Sequence, residues 1–105
     1  MSYVFRRYTT PTPPLIVRDM DLTTYDVYVT ITQGAHSLTI NDVAMEIDEG
    51  GNTVITFDMT QFATAEFREG SAKVQVNFIN GQGKRNATNE AVIKIGGNLL
   101  DRVIQ

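Results

Sequence analysis

The chain has no cysteine, no tryptophan and a single histidine, His36, among its 105 residues. Without thiols there is no disulfide framework, no cysteine nucleophile and no cysteine metal site. One imidazole leaves no second for a zinc site. Long apolar runs are also missing. The longest are three residues, such as Leu15-Ile16-Val17, against the ~20 that a membrane-spanning helix needs. No apolar stretch follows Arg6-Arg7 near the start, so a secretory signal is not expected and the protein is expected to stay where it is made. Nor is there an excess of positive charge. Nine Lys and Arg stand against 12 Asp and Glu, for a net charge of −3. That excludes a nucleic-acid binder held by a basic field.

What is present is ordinary globular composition, 42% apolar and 20% charged, which argues against disorder. The length suits one domain over residues 1–105. Strand-like alternation dominates. Val27, Val29 and Ile31 share a face, opposite Tyr28, Thr30 and Thr32. The same period groups Thr53, Ile55, Phe57 and Met59; Ala72, Val74, Val76 and Phe78; and Ala91, Ile93 and Ile95. Alternate residues of a strand point to opposite faces, so each run has a buried side and a wetter one. Leu38-Thr39-Ile40 and Val43 to Ile47 alternate over shorter spans. Gln33-Gly34-Ala35, Asn41-Asp42, Asp48 to Asn52 and Asn80-Gly81-Gln82-Gly83 break the runs, as hairpin turns do. About seven strands with turns roughly 8–12 residues apart predict an all-β antiparallel sandwich.

Residues 1–10 read as an N-terminal edge strand or arm. Pro11, Pro13 and Pro14 follow, where only an edge can tolerate missing N–H donors. The prolines predict a kink at which the first strand leaves one sheet and Leu15-Ile16-Val17 joins the other. Residues 59–67 predict one short helical crossover. Asp58 stands as its cap, with Gln61 three residues on, and Gly70 closes the segment. Residues 98–105 form an apolar tail. Leu99, Leu100, Val103 and Ile104 fit one face of a helical turn, while Gly96-Gly97 equally suit release into an extended strand.

Little of this pattern points to chemistry. Asp19, Asp21 and Asp26 cluster as calcium ligands sometimes do, but the calcium-loop spacing and its closing glutamate are lacking. Aspartates that close turns are the simpler reading. Gly81-Gln82-Gly83-Lys84-Arg85 lacks the following helix of a phosphate-cradling loop and reads as a hairpin. Ser2, Ser37 and Ser71 lie outside any nucleophile elbow. Glu46 and Asp48 fall on one wet strand face. No catalytic residue, metal or cofactor is therefore expected. Two clusters look like an interface. Tyr3, Phe5, Arg6, Arg7 and Tyr8 combine aromatics with arginine, the types that carry binding energy at protein contacts. Leu99, Leu100, Val103 and Ile104 either fold back on the core or dock on a neighbour.

Several pieces in order resemble a known family. They are Thr9-Thr10-Pro11-Thr12-Pro13, Asp26 to Gln33, Met59-Thr60-Gln61 through Phe67, Gly70, Lys73 to Val76, Ala87-Thr88-Asn89 and Leu99 to Ile104. Together they resemble small β-sandwich proteins of phage and prophage tail regions, and are similar to the N-terminal domain of baseplate upper proteins. The chain departs from that pattern at Phe62-Ala63, where acidic residues are expected. The resemblance implies an immunoglobulin-like sandwich and a non-enzymatic structural role in the virion tail or baseplate. The expected role is a connector, adaptor or decoration module made in the bacterial host cytoplasm. Expected partners are other tail or baseplate proteins, with a homo-oligomer compatible and neither nucleic acid nor membrane involved. From the residues, a carbohydrate-binding module is the alternative, with Tyr3, Tyr8, Tyr25 and Tyr28 as stacking platforms.

Overall fold

In a computed structural model, residues 4–100, 102 and 104 are described. Among the described residues nine strands and one helix follow in order: β1 (Phe5–Arg6), β2 (Pro14–Val17), β3 (Asp26–Gln33), β4 (His36–Ile40), β5 (Ala44–Ile47), β6 (Thr53–Thr56), α1 (Gln61–Ala65), β7 (Gly70–Ile79), β8 (Arg85–Ala87) and β9 (Ala91–Gly96). They form two sheets. One runs β1-β9-β7-β3-β4, with β8 also on β7; the other runs β2-β6-β5. The two sheets share one buried apolar core, the arrangement of an all-β sandwich.

The alternating faces decide which side of each strand is buried. Val27, Val29, Ile31, Ala72, Val74, Val76, Phe78, Ile93 and Ile95 turn inward from the larger sheet. Val17, Thr53 and Ile55 meet them from the smaller one, with Phe57 and Met59 continuing the same face. Of the apolar faces read from the sequence, Ala91 and Ile47 are exceptions and are exposed. Leu22 and Phe67 lie in no strand, yet both are fully buried. Phe67 packs edge-on against Phe5, ring centroids 5.8 Å apart, and against His36 at 4.7 Å.

The prolines do divide the first two strands between the sheets, β1 in one and β2 in the other. Three details differ from the sequence reading. β1 pairs with β9 in parallel, through Phe5 with Ile95 and Arg6 with Gly96, so the larger sheet is mixed. No hairpin joins β1 to β9; the whole chain lies between them, which leaves parallel pairing open. The helix is capped by Thr60, whose side chain accepts from the Ala63 amide. Asp58 instead accepts from the Thr12 hydroxyl. The helix also stops at Ala65 with Glu66 as its last cap, and Gly70 opens β7 at φ +133°. Lastly, β8 and β9 share one edge of β7. Between them Thr88 keeps the ladder going: its amide donates to Val76 O, and its hydroxyl accepts from Val76 N.

Candidate interaction surface where the chain ends meet

The segments that the sequence marked at either end of the chain meet at one end of the sandwich, beside α1. The Arg6 guanidinium donates to Gly97 O at 2.9 Å, and the Asn98 side chain donates to Arg7 O at 3.1 Å. Arg7 reaches across to the end of α1. Its Nε donates to Phe67 O at 2.6 Å and its Nη2 to Ala65 O at 3.0 Å. Ala65 O is the last carbonyl of the helix, which has no partner within it, and Phe67 O lies just past the cap; a cation suits both. The Arg7 guanidinium also lies 5.1 Å from the Tyr8 ring centroid. Tyr8 itself sits at φ +60°, a left-handed turn that redirects the chain from β1 towards the prolines.

Thr64 fastens the arm further along. It is fully buried, and its hydroxyl accepts from the Thr9 amide at 3.0 Å while donating to Thr9 O at 2.9 Å. The tail is tied by Gln61, whose side-chain amide donates to Ile104 O at 2.7 Å and accepts from Ile104 N at 2.8 Å. The main chain at Ile104 thus meets α1. The described side chains of the tail stay outside: Leu99 is fully exposed, and Leu100 and Ile104 are about half exposed.

The predicted interface residues therefore separate by role. Phe5 is core, only 4% exposed. Arg7 and Tyr8 are half-buried and hold the arm in place. Arg6, Leu99, Leu100 and Ile104 present surface. Tyr3 and Val103 lie outside the described residues. One member was missed from the sequence. Phe62, on α1 next to Gln61, is 63% exposed. The signal was available: Phe62 and Phe67 are five residues apart, about 140° round a helix, so one helical face cannot bury both.

Ten large apolar side chains among the described residues are exposed, and five of them lie on these segments: Val4, Phe62, Leu99, Leu100 and Ile104. Scattered apolar residues are normal on a surface, whereas a concentration at one end marks a contact site. Arg6, Glu69, Gly97, Asn98 and Leu99 border a shallow hollow of ≈ 510 Å³.

The other marked residues serve turns and packing. Asp21 accepts from the hydroxyl and amide of Thr23, and these bonds hold its carboxyl below the usual carboxylate range. Asp48 closes the β5–β6 turn and is not on the strand with Glu46. Asn80 organises the Gly81–Lys84 hairpin by accepting from the Gln82 and Lys84 amides. No three His, Asp or Glu side chains among the described residues come together as metal ligands. No helix among them is long and apolar enough to cross a membrane. The chain matches no protein-family model, and no curated protein is significantly similar to it.

Proposed function

We propose that this protein is a non-enzymatic structural module of a phage tail or baseplate, acting in the virion as a connector, adaptor or decoration unit. The observation that carries the assembly part is the gathering of Phe62, Leu99, Leu100 and Ile104, all exposed, at the end where both terminal segments are fastened. A surface of apolar and aromatic side chains bordered by arginine fits a protein partner. The virion part rests on the family resemblance of Thr9 to Pro13, Asp26 to Gln33 and Leu99 to Ile104. Purification with the products of flanking genes tests it. Tape-measure or portal genes alongside, and a complex with a neighbouring product, support the proposal. A neighbourhood without virion genes contradicts it.

A carbohydrate-binding role is the second reading. Of the four tyrosines, Tyr28 favours it, standing 38% exposed on the outer face of the larger sheet. Tyr25 is half-buried edge-on against Phe78 at 5.4 Å.

A further inference from the structure

The outer face of the larger sheet carries a depression of ≈ 390 Å³ lined by Tyr28, Thr30, Thr39, Asn77, Ile79 and Arg85. Its position follows from the strand register. Tyr28 is opposite Asn77, Thr30 is opposite Thr39, and Ile79 is opposite Arg85. All belong to strands of one sheet, so the side chains stand on a rigid base.

The chemistry of the lining is specific. The Asn77 side-chain oxygen accepts from Arg85 Nε at 3.2 Å and from Nη2 at 3.0 Å. That fixes the plane of the guanidinium and engages two of its five N–H donors, leaving three for a ligand. The Thr30 and Thr39 hydroxyls lie 3.0 Å apart, each with further hydrogen-bonding capacity. Tyr28 adds an exposed ring on which the C–H face of a sugar can lie. Asp26 is on the same outer face, but Ile79 stands between it and Arg85 in the register.

We propose that this depression binds an acidic saccharide, with Tyr28 under the pyranose ring and Arg85 forked to its carboxylate. An arginine fork matches a carboxylate in two parallel hydrogen bonds, while the threonine hydroxyls and Asn77 suit ring hydroxyls. The inference rests on the saccharide reading of the protein and adds to it the charge of the ligand. It is compatible with assembly through the terminal end, because different residues are used.

Amide-shift titration by nuclear magnetic resonance tests it. The probes are a tetrasaccharide of alternating glucuronate and N-acetylglucosamine, and neutral chitotetraose. The expected result is movement of the Tyr28, Thr39, Asn77 and Arg85 amides with the acidic probe, and at least about tenfold weaker binding by Arg85→Gln, the worth of one charge-assisted hydrogen bond. Tyr28→Ala should weaken binding of the acidic probe too. Both side chains are exposed, and the dispersion of each variant's spectrum reports that it folds. Equal binding of the two probes, unaffected by Arg85→Gln, overturns the acidic assignment and leaves the saccharide reading standing. Shifts confined to another face overturn the site. Binding of neither probe overturns the inference, and a wider panel of neutral glycans then decides the saccharide reading separately.

Discussion

Thr53 shows how much depends on a single buried hydroxyl. It is fully buried on β6, where it donates to Met20 O at 2.6 Å and accepts from Leu22 N at 2.9 Å. These bonds satisfy the loop that carries Leu22 into the core. Thr53→Val keeps the shape but leaves both backbone groups unpaired. It should cost about 2 kcal/mol in urea unfolding, whereas a loss under about 0.5 kcal/mol would contradict this role. Asp48 makes a pH-dependent contribution. Its carboxylate accepts from the Asn52 amide at 3.0 Å, the Asn52 side chain and the Gly50 amide at 2.9 Å. The Asn52 bonds lead in holding its pKa below the ordinary value, with smaller help from Gly50 and Arg18. A lowered folded-state pKa means that stability is present above the unfolded value, about 4, and fades as pH falls through the folded one. Asp48→Asn should therefore lower the urea midpoint near pH 7, with the gap closing towards about pH 2. An equal gap at both would show that the charge is irrelevant.

Among the elements, α1 is the one that cannot stand alone. Five residues are far below the roughly 12 at which isolated helices become even marginal. It persists because Thr60 caps its start, Thr64 fastens it to Thr9, and Arg7 takes the carbonyls at its end. Arg7→Ala should cost about 2 kcal/mol, as charged hydrogen bonds do, and speed amide exchange at Thr64 and Phe67. Unchanged exchange would mean that the arm is not what holds the helix. The strands were far more legible in the sequence than this helix. Val27 to Ile31 and Ala72 to Phe78 alternate so regularly that period alone identified their buried faces. The parallel β1–β9 pair was not legible, because nothing local in Phe5-Arg6 encodes a partner about 90 residues away. The cap was misplaced since Asp58 and Thr60 are both good cap residues, and tertiary bonding to Thr12 took Asp58 away. Leu22 and Phe67 escaped notice because their burial comes from loops, where no period exists to reveal it. Leu99, Leu100 and Ile104 were visible in the sequence as an apolar tail, while Phe62 required helical geometry to place.

At the scale of the whole molecule, the sandwich buries one core and leaves its apolar exposure unevenly distributed. The end formed by α1, the arm and the tail carries Phe62, Leu99, Leu100 and Ile104, and the main chain beneath them is tied down through Gln61 and Arg7. Exposed apolar groups on an anchored backbone lose little additional freedom on docking, which favours association. Light scattering on the full chain and on a Phe62→Ser, Leu99→Ser double variant, alone and mixed with flanking gene products, examines this directly. The full chain should form a complex of higher mass that the double variant loses, with both folded by circular dichroism. Monomer mass for the full chain in every mixture, or complexes of equal mass for both proteins, would contradict assembly through this end.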